Sequence, residues 1–414
     1  MQIVDPPGKS LALGALNAVI LFPQSTSRLV AFEKDVAGLT LFKRMAIALS
    51  RAGVVNIQVV DHDLAETERK ELVRELQSDS RFEGHVSWAK DPLGDWTERW
   101  SRSPCLLVRG PSIIFPDTLK AFIRSEDTQE ALEKDQAAQL RLTGSGLAPL
   151  WIAPRGRADL LRQWLKGENL NPAVSSLPGD RHYFSLVQTI SQLRVAEKKY
   201  ISLHRHHYHQ AMDIWFNSIF SLRLSALFVK TRVTPNQLTL FGLVIGIVAG
   251  YCFSRGDYAG GLVGGILLAL TAIWDCCDGD VARLKFMQSD FGERLDTACD
   301  NLINVFIFTG MMLGVARVEG LQSALIPFSM LAVGGFAIFC LIYFPGGGKG
   351  AGFKDSPMHD VVMVLASRNF IYVILLFAVF GKIEAFLWLA GWGSLAFALI
   401  LFIAWRNTKA PVRS

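Results

Sequence analysis

From residue 233 onward the chain runs for long stretches without a charged side chain. Val233 to Ser254, Tyr258 to Trp274, Asn301 to Ala316, Gly320 to Phe344 and Ala385 to Trp405 carry none, and a further apolar stretch at about 358–381 is interrupted by Arg368. A helix needs about 20 apolar residues to cross the hydrocarbon of a bilayer, so the pattern predicts six transmembrane helices. The second and third stretches are short on that measure, and their helices are expected to continue into the charged segment between them. Ahead of the first span, 211–230 (AMDIWFNSIFSLRLSALFVK) has apolar residues at helical spacing with few charges. It predicts an amphipathic helix lying in the interface; Asp213, Arg223 and Lys230 argue against a seventh buried helix there.

Residues 1–190 follow another rhythm. Leu16–Phe22 (LNAVILF) reads as a strand, Leu39–Ala52 as an amphipathic helix, Val54–Val60 as a second strand and Leu64–Leu76 as a second helix. Cys105–Val108 and Leu150–Ala153 read as later core strands. Alternation of this kind predicts an α/β domain with a largely parallel sheet. The chain therefore divides into an α/β domain over 1–195, a linker and interfacial helix over 196–232, and an all-α polytopic membrane domain over 233–414.

Composition follows the same division: 51 charged residues fall in positions 1–205 and only 28 in the remaining 209. The net charge of +5 is modest and the basic residues form no long run, which argues against a nucleic-acid partner and fits a neighbouring anionic leaflet. Lys230, Arg232, Arg283, Lys285, Arg294, Lys349, Lys354, Arg406, Lys409 and Arg413 fall on one side of the predicted spans; the opposite connections carry only Arg255, Arg317 and Lys382. By the positive-inside rule both termini are cytoplasmic, and the opening residues lack the regions of a signal peptide. The six cysteines form no CxxC pair, so neither a disulfide framework nor a zinc site is indicated. Gly242, Gly246 and Gly250, and Gly260, Gly261, Gly264 and Gly265, allow close helix approach in lipid. The same faces would suit a homodimer.

The candidate chemistry lies in 275–300, DCCDGDVARLKFMQSDFGERLDTACD. Asp275 and Asp278 are three apart at the end of span two; Asp296 and Asp300 are four apart at the start of span three. Each spacing places its pair on one helix face, and a turn containing Gly292 lets the two helices run antiparallel so that the four acids converge. Four carboxylates beside hydrocarbon are costly unless a cation neutralises them. Hard divalent ions with oxygen ligands do so, and two such ions are a common device in phosphate chemistry. The competing reading, helix-capping acids paired with Arg283 and Arg294, accounts poorly for two in-phase pairs. Asp280 falls between them and reads as a solvated helix-end charge.

The string Asp275-x2-Asp278-Gly279-x2-Ala282-Arg283, eight residues, then Gly292-x3-Asp296-x3-Asp300 resembles the signature of the CDP-alcohol phosphotransferases. Thr234-Pro235-Asn236-Gln237-Leu238-Thr239 also looks like that family's approach to its first membrane helix. The resemblance implies six helices around a polar cavity open to the cytoplasm. Asp275, Asp278, Asp296 and Asp300 would hold two Mg²⁺ or Mn²⁺ ions, with Asp296 and Asp300 catalytic and Asp300 the base for the acceptor hydroxyl. Gly279 and Ala282 would leave room for cytidine, and Arg283 would brace the acids or the nucleotide. The partners implied are a CDP-linked alcohol donor, an alcohol or polyol-phosphate acceptor, and membrane lipid.

In the first half, Leu16–Phe22, Arg28, Lys34 and the helix leading to VVNIQVV resemble a sugar-nucleotidyltransferase domain. Gln24 and Thr26 stand where that family has glycines for its phosphate loop, and Arg109-Gly110-Pro111 stands where a metal-binding Asp is expected. A degenerate domain is predicted. The joined order, with Ala196-Glu197, then Asp213 and Asn217, then Cys277 to Phe286, resembles the bifunctional inositol-phosphate cytidylyltransferase/phosphotransferase proteins. The function implied is transfer of a substituted phosphate from a CDP-alcohol with release of CMP, in phospholipid or inositol-phosphodiester synthesis. Alternatives are a bifunctional enzyme that also makes its donor, a divalent-cation transporter using the same acids, or a scaffold. His204, His206, His207 and His209, beside Lys198, Lys199 and Arg205, read as a basic membrane-surface linker rather than a metal site. Arg368 reads equally as a phosphate contact or an ion-pair partner, and GGGKGAGFK (346–354) as a flexible connection.

Overall fold

The computed structural model describes residues 16–408 apart from 24–26, 62–63, 90, 92, 169, 205–215 and 344–369. The chain divides into two compact units, Met1–His206 with Leu284–Phe286, and His207–Arg283 with Met287–Ser414.

The first unit carries strands β1 (Leu16–Leu21), β2 (Asp35–Val36), β3 (Leu39–Thr40), β4 (Val54–Val60), β5 (His85–Trp88), β6 (Cys105–Arg109), β7 (Ser112–Ile114), β8 (Ala138–Leu142), β9 (Gly146–Ala153), β10 (Ala173–Leu177) and β11 (Phe184–Leu186). Helices α1 (Leu41–Arg51), α2 (Glu66–Gln77), α3 (Trp96–Trp100), α4 (Pro116–Arg124), α5 (Glu126–Glu133), α6 (Ala158–Leu165) and α7 (Ile190–Leu203) connect and flank them. Seven strands form one sheet in the order β10-β8-β9-β6-β1-β4-β5. Its neighbours are parallel except where β9 meets β6 and β8. A largely parallel sheet follows from runs such as LNAVIL in β1, apolar on both faces and therefore covered on both. The predicted helix Leu39–Ala52 begins two residues late. Leu39 and Thr40 pair with β2, and the Thr40 hydroxyl then caps α1 by accepting from the Lys43 amide.

Arg44 in α1 is wholly buried, yet its guanidinium donates to the Val36 and Ala37 carbonyls and to the Tyr200 hydroxyl. Those acceptors offset its desolvation. His204 is 3% exposed, lies against the Tyr200 and Phe115 rings, and has Nδ1 2.9 Å from the Tyr200 carbonyl. It is a packed residue of this unit, not part of a surface linker; His206, His207 and His209 lie outside the described residues. Near the carboxyl ends of β1 and β5, the rings of Phe22, Phe32, Phe42 and Trp88 follow one another at centroid spacings of 5.0, 5.7 and 5.3 Å. Gln24 and Thr26 lie outside the described residues.

The second unit comprises α8 (Ser218–Phe228), α9 (Pro235–Ser254), α10 (Tyr258–Leu284), α11 (Asp290–Glu319), α12 (Leu321–Tyr343), α13 (Phe370–Val379) and α14 (Ile383–Thr408). Among the described residues five helices, α9 to α12 and α14, are long and apolar enough to cross a membrane. The sixth expected span, about 358–381, is described only from residue 370, where α13 begins; Arg368 and 346–354 lie outside the described residues. As the charge pattern requires, α10 and α11 run well past their apolar stretches into the acidic segment. The α9 start is fixed by Thr234, Pro235 and Gln237: the Thr234 hydroxyl accepts from the Gln237 amide, and the Gln237 side chain accepts from the Thr234 amide.

Gly292 is not in the turn between α10 and α11, as expected, but in the first turn of α11. Ser289 ends the turn by capping the Gly292 amide at 3.1 Å, so the helix begins earlier than the glycine suggests.

Helices α9 and α11 meet backbone to backbone. A Cβ at Gly310 would fall on the Gly250 carbonyl, one at Gly314 on the Phe253 carbonyl, and one at Gly250 would stand 2.6 Å from the Phe306 carbonyl. Small residues at such seams are how helices associate in lipid. Gly310→Val is therefore expected to destabilise this unit by about 3 kcal/mol, because the obstructing atoms are backbone and cannot swing away. The thermal midpoint of the detergent-solubilised protein reads this, and an unchanged midpoint would show that the seam is not tight.

Candidate active site

The carboxylates of the acidic segment come from two helices. Asp275 and Asp278 lie one turn apart near the end of α10, and Asp296 and Asp300 one turn apart near the start of α11. Ligand oxygens of Asp275, Asp278 and Asp296 lie within 4.8 Å of one another. Asp278 is buried, and Asp275 and Asp296 are half-buried. Asp300 lines the same cavity but is not part of that closest group. Thr239, Thr271, Trp274, Cys299 and Asn304 add polar or polarisable lining, while Leu268, Ile303, Phe370 and Ile371 supply an apolar wall.

Three carboxylates converging this closely repel one another unless protons or a cation intervene. The donor set is all hard oxygen, the chemistry that suits magnesium, manganese or calcium. The residues present thus fit a divalent cation.

Asp278 does not depend on its neighbours for orientation. The Thr239 hydroxyl in α9 donates to its Oδ2 at 2.6 Å. One residue before Thr239, the Leu238 carbonyl accepts from Trp274 Nε1 at 3.0 Å. These two bonds fasten α9 to the acid-bearing end of α10. In the sequence Thr239 stands out only as the last residue of the helix-start string 234–239. Its signal was positional: one turn after the Pro235 start of a span, a hydroxyl residue sits at the polar end of the neighbouring helices.

Gly279, Ala282 and Arg283 do not line the cavity that holds the acids. The Arg283 guanidinium lies over Gly279, where a Cβ would stand 3.3 Å from Nη2. It donates to Asp280 Oδ1 at 2.9 Å. Asp280 itself is a correction to the sequence reading. It is wholly buried rather than solvated, and its Oδ2 accepts from the Ser225 hydroxyl of α8 at 3.2 Å. The reason lies in α8, which turns Ser218, Ser221 and Ser225 inward and leaves Ile219, Phe220 and Leu227 exposed. Its polar stripe, not its apolar one, faces protein, and Asp280 meets that stripe. The Cys277 thiol lies on the same seam, 3.7 Å from the Ser221 carbonyl and 3.3 Å from the Ile273 carbonyl of its own helix. Asn217, just ahead of α8, accepts from the Tyr372 hydroxyl of α13, whereas Asp213 lies outside the described residues.

The family model described as CDP-alcohol phosphatidyltransferase matches residues 232–405. The archaetidylinositol phosphate synthase of Pyrococcus horikoshii is 36% identical over 92 residues, 22% of this chain and 47% of that protein. The bifunctional IPC transferase and DIPP synthase of Aquifex aeolicus is 26% identical over 195 residues, 46% of this chain and 43% of that protein. The matched stretches thus span about half the length of these curated relatives. Among solved structures, phosphatidylinositol phosphate synthase of Mycobacterium tuberculosis with CDP-DAG bound aligns with a TM-score of 0.33 at 16% identity, covering 47% of this chain and 98% of that one. The inositol-1-phosphate CTP transferase from T. maritima aligns with a TM-score of 0.32 at 15% identity, covering 45% of this chain and 98% of that one. The acid pairs, their spacing and the span matched by the CDP-alcohol phosphatidyltransferase family model thus all fall in one stretch of sequence, residues 232–405.

Proposed function

We propose that this chain transfers a substituted phosphate group from a CDP-alcohol to an acceptor hydroxyl, releasing CMP, at the cavity between α9, α10 and α11. The observation that carries the reading is the meeting of Asp275, Asp278 and Asp296 from two helices, with Asp300 on the same cavity wall. Asp275, Asp278 and Asp296 would hold Mg²⁺ or Mn²⁺. When bound, such an ion withdraws charge from the donor's diphosphate and stabilises the departing CMP.

The remaining work falls to the chain. Asp300 accepts the proton of the acceptor hydroxyl as its oxygen forms a bond to the donor's phosphorus and the bond from that phosphorus to CMP breaks. A hydroxyl is a poor nucleophile at neutral pH, so a carboxylate within reach raises the rate. The apolar wall around Ile303 and Phe370 excludes water that would compete with the acceptor. Thr271 and Asn304 offer hydrogen bonds to a polar ligand.

Two relatives, the archaetidylinositol phosphate synthase of Pyrococcus horikoshii and a phosphatidylinositol phosphate synthase of Corynebacterium glutamicum, carry inositol phosphate in their names. Together with the apolar helices they support CDP-diacylglycerol as donor and a soluble polyol phosphate as acceptor. The distribution of Lys and Arg supports a cytoplasmic site with both termini on that side. A single activity is favoured over a bifunctional enzyme because Gln24 and Thr26 stand where a phosphate loop needs glycines, and Arg109-Gly110-Pro111 where a metal-binding Asp is expected.

Purified full-length protein in detergent, given CDP-diacylglycerol, inositol phosphate and Mg²⁺ or Mn²⁺, is expected to release CMP and to stop on addition of EDTA. Absence of CMP with every acceptor tried, or release indifferent to the chelator, would overturn the reading. Cation flux into vesicles without CMP formation would favour transport instead.

A further inference from the structure

We infer that Thr239 is a positioning residue for cation binding: it fixes the Asp278 carboxylate so that one oxygen is bonded to protein and the other is presented to the ion. The inference rests on the reading of Asp275, Asp278 and Asp296 as cation ligands.

The hydroxyl has two acceptors within reach, the Pro235 carbonyl at 3.2 Å and Asp278 Oδ2 at 2.6 Å. It has one proton to give. A threonine inside a helix often bonds back to the carbonyl four residues earlier. Here the carboxylate is closer, at the length of a charge-assisted O–H···O⁻ bond. Thr239 is 9% exposed and Asp278 is 7% exposed, so water competes little for either group. The bond also spans two helices, with Thr239 on α9 and Asp278 on α10. The neighbouring bond from Trp274 to the Leu238 carbonyl holds the same level of α9 in place. Asp278 is thereby oriented before an ion arrives. Outer groups that orient ligating side chains commonly set metal affinity by about 10–100-fold.

The test is equilibrium Mn²⁺ binding to full-length protein in detergent, followed by the EPR signal of free Mn²⁺. Thr239→Val keeps the shape and removes the donor; it is expected to weaken binding about tenfold or more. Thr239→Ser, which restores the donor, is expected to bind as wild type does. Removing a buried donor should also lower the thermal midpoint of Thr239→Val in EDTA, so binding is compared well below the lowest midpoint, where every variant is folded and a merely structural role would leave Mn²⁺ affinity unchanged. If Thr239→Val does not fold, Thr239→Ala makes the same comparison. Asp278→Asn is the control for the underlying reading. If wild type and Asp278→Asn bind Mn²⁺ equally, or neither binds it, the ligand assignment fails and the role of Thr239 fails with it. If Asp278→Asn weakens binding while Thr239→Val leaves it unchanged, the ligand assignment stands and the role of Thr239 alone is overturned.

Discussion

Asp296→Asn and Asp300→Asn are expected to stop CMP release in two distinguishable ways. Asp296 belongs to the close group with Asp275 and Asp278. Asparagine there removes a charged oxygen ligand, and the loss of Mn²⁺ affinity should exceed the roughly 10–100-fold that an outer-shell change costs. Excess Mn²⁺ should recover part of its turnover. Asp300 lines the cavity outside that group, so Asp300→Asn should leave Mn²⁺ affinity nearly unchanged. Its turnover should fall by about 10²–10⁴-fold, the usual contribution of a positioned general base, and should not recover with more metal. The chelator-treated protein supplies an independent sign. With the cation removed, the three close carboxylates repel one another, so Asp296→Asn should melt at a higher temperature than wild type in EDTA. Wild-type turnover in both variants would remove the proposed mechanism.

Asp280→Ala is expected to destabilise the protein by about 3 kcal/mol, at the low end of what breaking a buried ion pair costs. The carboxylate is wholly buried and receives Arg283 and Ser225. Its removal strands the guanidinium, but the Arg283 side chain is 25% exposed and can turn partly toward water. Arg283→Ala should cost more, because the carboxylate left behind has no such escape. The double variant should lose less than the two single losses added together, as residues in one network do. Asp280→Asn, which keeps an acceptor for Ser225, should fall between wild type and Asp280→Ala. Chemical or thermal unfolding of the solubilised chain measures all four; an Asp280→Ala protein as stable as wild type would show that the buried pair contributes nothing net.

Much of this architecture was legible because the physics acts locally. Absence of charge over about 20 residues is a direct consequence of lipid, so α9, α12 and α14 are plain in the sequence. The extension of α10 and α11 beyond their apolar stretches follows from the same length requirement. The acid pairs were legible because a spacing of three or four fixes a face whatever surrounds it. In the sheet unit, LNAVIL, VVNIQVV and CLLV declare themselves as strands buried on both sides. The edge strands β5 and β10, with sequences HVSW and AVSSL, are short and hold few apolar residues to declare them, and β7 and β11 are shorter still.

What escaped depended on partners distant in sequence. Asp280 looks like a surface charge until α8 is known to present serines rather than its apolar residues inward. A hydrophobic pattern cannot reveal that, since lipid and protein compete for the same side chains. Thr239 escaped for the same reason: only the neighbouring helix gives its hydroxyl an acceptor worth noticing. Gly292 misled because glycine usually marks a turn, whereas here Ser289 had already started the helix.

The glycine seam between α9 and α11 bears on how any ligand reaches the acids. Three glycines bring the two main chains together over successive turns, so prising those helices apart would forfeit several tight contacts at once with nothing to fill the gap. Ligand entry by separation of α9 from α11 is therefore disfavoured.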